Sequence, residues 1–271
     1  MITNANEILF RCSSLGHLMT ESRSKSEPIS ETTKTHLVDV YLSAVHHRRE
    51  ELRSKFIEKG NKREEDSITL LSRIEKRSYK KNGVRLTNEY ITGEPDLYEG
   101  NDISTASLII DIKTSWSAHT FFRTKMAQLS KNYYWQVMGY MMLSGAKKAK
   151  VAFCLVNGTV QAIEDEKRKA AYQYGIDAES DPDYINECKQ IERNHIFDID
   201  AFKKENEYYD LKSEVDFSDS ISPARYSWDY DIPMKDRVHI FEVEYDSVAV
   251  SSIVERIEQS RKWMNENLFK I

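Results

Sequence analysis

The run Leu108-Ile109-Ile110-Asp111-Ile112-Lys113, within TASLIIDIKTS, constrains the fold more than any other stretch of the sequence. It is a short, β-branched apolar segment bounded by polar residues, and it predicts a central strand. Residues two apart in a strand share a face. Asp111 and Lys113 therefore point together, while Ile110 and Ile112 point to the opposite side. Burying a carboxylate and an ammonium is costly unless they are used. The pair is either a structural ion pair at the strand end or a site that needs both charges.

The flanking patterns predict an α/β chain. Leu37, Val40, Tyr41, Ala44 and Val45 give helical spacing over 31–58, with an interruption at Gly60 and Asn61. A second helix is predicted from Lys62, with Ile68, Leu71 and Ile74 inward. Two strands are expected around turns at Asn82-Gly83 and Gly93. After the central strand come a polar connection carrying Trp116, Phe121 and Phe122, and a strong helix, SKNYYWQVMGYMMLSG, ending at Gly145. AKVAFCLVNGTVQAI reads as two strands hinged on Asn157-Gly158. Residues 163–213 look helical and highly charged, with a break near Asp181-Pro182, and 216–235 read as a loop. RVHIFEVEY predicts a last strand, followed by a helix capped by Asp246 or Ser247. With 271 residues the chain is expected to be one domain, its core about 10–160 and 236–270, with a charged helical insertion over about 163–235.

Charge is unevenly divided. Residues 1–160 carry 24 Lys and Arg against 18 Asp and Glu, and residues 161–271 carry 15 against 26. Such a chain could offer a basic surface to phosphates and turn an acidic one elsewhere; clustering on solvated faces is the plainer alternative. No apolar run approaches membrane-spanning length, and the N-terminal residues do not read as a signal peptide. Cys12, Cys154 and Cys188 are odd in number and scattered, which points to reduced thiols in the cytoplasm rather than disulfides or a C-x-x-C metal pair. His46, His47 and His119 have no ligand-like spacing.

Asp96 favours a site over a structural pair. It follows Pro95 at the start of the preceding strand, where a short connection could set it beside Asp111. Two carboxylates forced together repel unless a cation lies between them, and hard oxygen ligands suit Mg²⁺ or Mn²⁺. A lysine beside such a metal can orient or help deprotonate a water for attack on a phosphodiester.

Pro95-Asp96, a gap, and Asp111-Ile112-Lys113 resemble the PD-(D/E)XK nuclease signature. YYWQVMGYM places Gln136 and Tyr140 four apart on a helix, similar to the Q-x-x-x-Y element of RecB-type and lambda-exonuclease-type nucleases. GNKREEDSITL places Glu64 four residues after Gly60, like the G-x-x-x-E helix of viral alkaline exonucleases. FRCSSLGHLMT resembles that group's serine-containing opening. Together these resemble lambda-exonuclease-like, YqaJ-type viral recombination exonucleases, with a restriction-endonuclease-like core of a mixed central β-sheet flanked by helices.

The resemblance implies roles for particular residues. Asp96 and Asp111 would hold catalytic Mg²⁺ (or Mn²⁺) with the Ile112 carbonyl, and Glu64 would be a further ligand, direct or through water. Lys113 would position and activate the attacking water, Gln136 would orient Lys113 or the water, and Tyr140 would support it. Ser14, with Arg11 as its basic partner, would contact a DNA 5′-phosphate. It further implies duplex DNA ends as substrate, 5′-to-3′ digestion, a single-strand annealing protein as partner, and a homo-oligomer of the ring-shaped trimeric kind in a bacterial or phage-infected cytoplasm. A structure-specific or restriction-type endonuclease is the nearest competing enzyme, and a catalytically inactive DNA-binding or assembly protein the competitor of another class. Trp116, Phe121 and Phe122 could stack on an unpaired base or wedge a duplex end, although core packing is the better account of them. Arg48, Arg49, Arg53, Lys62, Arg63, Lys76, Arg77, Lys80 and Lys81 could line a DNA backbone groove.

Overall fold

The computed structural model describes residues 2–24, 26–48, 59–60, 62–175, 181–207 and 231–270. Among them, strands form two mixed sheets. The smaller contains β1 (Phe10–Arg11), β2 (Leu86–Thr87) and β3 (Ile91–Gly93), in the order β1-β3-β2. The larger contains β4 (Leu97–Glu99), β5 (Leu108–Thr114), β6 (Lys148–Cys154) and β7 (Val238–Glu244), in that order. β5 and β6 are parallel, while β4 and β7 run antiparallel to their neighbours. Glu94, Pro95 and Asp96 alone separate β3 from β4, so this link crosses from one sheet to the other.

The α-helices whose bounds fall among the described residues are α1 (Leu15–Leu18), α2 (Glu31–Val45), α3 (Glu64–Glu75), α4 (Ala118–Met126), α5 (Lys131–Ser144), α6 (Val160–Tyr174), α7 (Pro182–His195), α8 (Ile199–Glu205) and α9 (Ser247–Asn267). The expected mixed α/β architecture is present, with two sheets in place of one. A parallel pair cannot be joined by a tight turn, and α4 and α5 supply the crossover between β5 and β6.

β5 is buried from Ile109 to Ile112 because helices cover both its faces. Ile109 belongs to the core that also holds Val137, Met138 and Met141 of α5 and Ile253 and Ile257 of α9. Ile110 and Ile112 pack with Ile68 and Leu71 of α3. Each such side chain contributes about 1.5–3 kcal/mol by leaving water. α5 is apolar almost all round, as a helix held between layers must be. The Ser130 side chain accepts from Asn132 N at its start, and Gly145 ends it at φ 77°. Asp246 caps α9 through Val248 N and Ala249 N.

Several local expectations change. The helix predicted over 31–58 ends at Val45; residues 49–58 lie outside the described part. Lys59 and Gly60 are helical, and the break falls at Arg63 (φ −113°, ψ 11°), just before α3. The connection after β5 becomes α4, started by a reciprocal cap between Ser117 and Thr120. The hairpin expected at Asn157-Gly158 is a strand-to-helix junction. Asn157 Oδ1 accepts from Phe197 N and Asp198 N at 2.8 and 3.0 Å. Thr159 then caps α6. A Cβ on Gly158 would lie 2.7 Å from His195 Nδ1, so glycine here serves close packing.

The break near Asp181-Pro182 is the start of α7, capped by Asp181 with proline in its first turn. α6, α7 and α8 share an apolar cluster that includes Ile163, Cys188 and Phe202. A buried ion pair, Lys167 to Glu192 at 2.6 Å, crosses between α6 and α7. Most of the 216–235 loop lies outside the described residues. All three cysteines are free and buried. No described helix is long and apolar enough to cross a membrane.

Candidate active site

Asp111 and Lys113 leave β5 toward α5. Asp111 is 1% exposed, and its Oδ1 accepts from Gln136 Nε2 at 2.9 Å. Its Oδ2 lies 2.8 Å from Lys113 Nζ, an ion pair whose angles fall short of a hydrogen bond. Lys113 Nζ also donates to Gln136 Oε1 at 3.4 Å and stands 4.8 Å over the Tyr133 ring. Gln136 Nε2 completes its bonding to Tyr140 OH at 2.9 Å. One amide thus holds the Asp111 carboxylate, the Lys113 ammonium and the Tyr140 phenol. The spacing 133, 136, 140 on α5 brings all three side chains to the side of the helix facing β5.

Close backbone contacts keep Tyr140 in place. A Cβ on Gly93 would lie 2.6 Å from Cys12 Sγ and 2.7 Å from the Tyr140 ring. β3, the segment after β1 and α5 therefore meet at a point where only glycine leaves room.

Asp96 arrives on the link between the sheets. β4 begins pairing at Leu97, opposite Ile110. The next inward-facing β5 amide, that of Ile112, donates instead to Asp96 Oδ2 at 2.6 Å. The backbone of the link is clamped by Asn82, whose N donates to Asp96 O at 2.7 Å and whose Nδ2 donates to Pro95 O at 2.9 Å. In the sequence, Asn82-Gly83 carries only a turn signal. The turn is real, since Val84 N donates to Asn82 Oδ1, but the other contacts are long-range and have no local signature. Tyr133 was missed likewise, as one aromatic among several on α5.

The electrostatics of the group are those of carboxylates short of positive charge. Burial, then the charge of Asp111, pushes Asp96 up to about 7, against the lowering pull of the Ile112 amide. Burial also raises Asp111, opposed by Lys113. For Lys113 burial acts to lower the pKa, but the adjacent Asp111 carboxylate outweighs it and the ammonium is raised. This donor set fits a hard divalent cation such as Mg²⁺ or Mn²⁺. Among the described residues, no three carboxylates, imidazoles or thiols come together as a ligand group. A cation would therefore rest on Asp96, Asp111, the Ile112 carbonyl and water. Glu64 acts on both aspartates at longer range, and its Oε2 is engaged by Lys81 Nζ at 2.8 Å.

A cavity of about 690 Å³ opens over these groups. Glu64, Asp96, Asp111, Lys113 and Gln136 all line it; Tyr140 lies beneath, and Ser14 and Arg11 are not among its walls. Ser14 Oγ donates to Arg11 O at 3.0 Å. Of the three aromatics after β5, Trp116 lines the cavity, Phe121 is fully buried in the core and Phe122 is exposed on α4. The basic set divides too. Arg63 is buried and paired with Asp66 and Glu205, which removes it from any outward groove. Arg77 pairs with Glu99. Arg49 and Arg53 lie outside the described residues.

No protein-family model matches the sequence, and no curated protein does. Solved structures do match. A phage-related exonuclease from Haemophilus somnus 129PT is 22% identical with a TM-score of 0.62, over 96% of this chain and 95% of that one. The alkaline exonuclease LHK-Exo from Laribacter hongkongensis is 10% identical with a TM-score of 0.55, over 98% of this chain and 91% of that one. LHK-Exo has also been solved in complex with dAMP. The chain has the fold of these exonucleases along nearly its whole length.

Proposed function

We propose that this protein is a metal-dependent DNA exonuclease that hydrolyses phosphodiesters at duplex ends, working 5′-to-3′ to leave single strands for phage-type recombination. The observation that carries this reading is the meeting of Asp96, Asp111 and Lys113 on β5, Asp111 and Lys113 joined through Gln136 and Asp96 held by the Ile112 amide, on the fold of the alkaline and phage-related exonucleases. That LHK-Exo takes dAMP supports a nucleotide product for the same fold. Duplex ends, an annealing protein and further copies of this chain are the partners that belong to the reading.

When bound between Asp96 and Asp111, Mg²⁺ or Mn²⁺ supplies charge neutralisation of the phosphate and acidifies water. The protein does the rest by position. Asp96 and Asp111 hold two negative charges at the end of β5, fixed by Ile112 N and Gln136 Nε2. Lys113, kept protonated by Asp111, donates to a phosphoryl oxygen as negative charge grows on it. Gln136 and Tyr133 keep the ammonium from swinging away. Water adds to phosphorus and gives up a proton to solvent, the bridging oxygen leaves with the bonding pair, and the leaving oxygen takes a proton from solvent.

The test compares linear duplex DNA, with and without a 5′-phosphate, against a covalently closed circle, in Mg²⁺ and in EDTA, with Lys113→Ala alongside. Loss of the linear DNA only, metal-dependent and absent in the variant, is expected. Cutting of the circle would replace the exonuclease reading with an endonuclease one. DNA binding without hydrolysis under any metal would make this a binding protein.

A further inference from the structure

At the end of β3 opposite Asp96, a second cavity of about 500 Å³ opens between α9, the start of the chain and the turn that enters β3. It shares no lining residue with the cavity over the site. Its floor is Arg261, which is only 8% exposed. Nη2 of that guanidinium donates to Ile8 O at 2.9 Å and to Glu89 O at 2.7 Å. Those carbonyls lie two residues before Phe10 and Ile91, which pair in β1 and β3. One side chain therefore ties together the starts of two parallel strands.

These bonds satisfy the backbone and leave the charge unanswered. Among the described residues no carboxylate comes within ion-pair distance of Arg261; Glu89 and Glu258 act on it only at longer range. The Tyr90 ring, 5.4 Å from the guanidinium carbon, steadies it without bringing a charge. Nε is enclosed without a partner. Nη1 makes no hydrogen bond among the described residues and is the donor left for the cavity. A buried charge without a counterion is costly, and a guanidinium cannot escape by giving up its proton. The missing charge is one that a bound acid would supply.

A second donor is fixed beside the first. Asn265, one turn further along α9, accepts from Ala5 N at 2.8 Å through Oδ1, which leaves its Nδ2 unengaged. The exposed rim carries Lys262 together with Glu89, Glu258 and Glu266. We infer that this cavity is a binding site for a small organic acid, a carboxylate or a phosphate monoester, that also bears hydroxyl or amino groups. Its acid meets Arg261 Nη1 and Asn265 Nδ2, and its donors face the glutamates of the rim. The volume is that of a small-molecule site. Three glutamates around the mouth repel a polyanion, so a nucleic-acid backbone is not what the site takes. The site stands or falls independently of the nuclease reading.

The experiment is a calorimetric melt of the full chain in EDTA at constant ionic strength, titrated with glycerate, with glycerol 3-phosphate and, as a control, with chloride. The two acids share a hydroxyl-bearing skeleton, so the stronger of them distinguishes a carboxylate from a phosphate ligand. A saturable rise in melting temperature, roughly 5 °C at 100 times the dissociation constant, is expected from at least one acid and not from chloride. Asn265→Asp sets a carboxylate four residues from Arg261 on one helix face, where the ligand's acid would lie, and can still accept from Ala5 N. It is expected to raise the melting temperature of the ligand-free chain and to abolish the response. Arg261→Met is expected to abolish the response as well; should that variant fail to fold, Asn265→Asp decides alone. No rise with either acid, an equal rise with chloride, or a response that survives Asn265→Asp unchanged overturns the site.

Discussion

Gln136 donates to Asp111 across 2.9 Å, joining a helix and a strand through residues 25 apart in the chain. The same amide faces Lys113 and Tyr140, so its loss would release two charges and leave buried polar atoms without partners. Gln136→Leu is expected to lower nucleotide release from duplex DNA about 100-fold by misplacing the lysine. It should also cost about 1–3 kcal/mol of stability. Steady-state rates and a denaturant melt of one preparation check both. A variant with full activity would remove Gln136 from the mechanism.

Asn82 acts on the site only through the backbone. Asn82→Ala removes the amide that holds Pro95 O and the contact to Val84 O. A loss of about 1–3 kcal/mol is expected, with a weaker apparent Mg²⁺ affinity and little change in rate at saturating metal. A metal titration of activity separates this from simple unfolding.

The acid pair predicts a metal-dependent melting temperature. Mg²⁺ at about 100 times its dissociation constant should stabilise the folded chain by about 2.7 kcal/mol. Asp96→Asn should abolish that gain, yet melt no lower than wild type in EDTA, because one of two repelling carboxylates is gone. Calorimetry with and without EDTA decides it; an unchanged Mg²⁺ response in the variant would move the cation elsewhere.

Lys59 gives a pH signature independent of the acids. It is buried, and burial followed by the charge of Arg63 lowers its pKa to about 7 from 10.5. The unfolded chain then binds more protons than the folded one between about pH 7 and 10.5, so this lysine makes stability rise with pH across that window. Below about pH 7 both states are protonated and the penalty is complete. Lys59→Met, although it gives up the bond to Trp116 O, should flatten the rise and stabilise the protein at pH 7. Denaturant melts at several pH values would show parallel curves if the prediction is wrong.

Gly93→Ala places a methyl group against Cys12 and Tyr140. Overpacking of this kind costs about 1–3 kcal/mol, and because Tyr140 must move, activity should fall with it. Cys12→Ala in the same chain makes room beside the new methyl and should recover part of both. No recovery would put the clash on Tyr140 alone.

The parts of this molecule legible in its sequence are those set by local pattern. β5 was evident because an apolar β-branched run has few alternatives, and α5 because its apolar stretch ends at Gly145. Asp181-Pro182 was evident as a break, though not as the cap it proves to be. The junction at Asn157-Gly158 was misread because its asparagine is bonded to residues 40 and 41 positions later, where no local rule reaches. In the site, Asp96, Asp111, Lys113 and Gln136 carry a motif, and they meet. Asn82 and Tyr133 carry none, since what distinguishes them is the partner each finds after folding.

The three-residue link that bears Asp96 has a mechanical consequence. Asp96 stands where one sheet hands the chain to another, while Asp111 is rooted in the middle of the second. A cation gripped by both would act as a rivet through two plates. Any force that slides one plate against the other, such as a DNA strand being drawn past, would be felt first at the rivet.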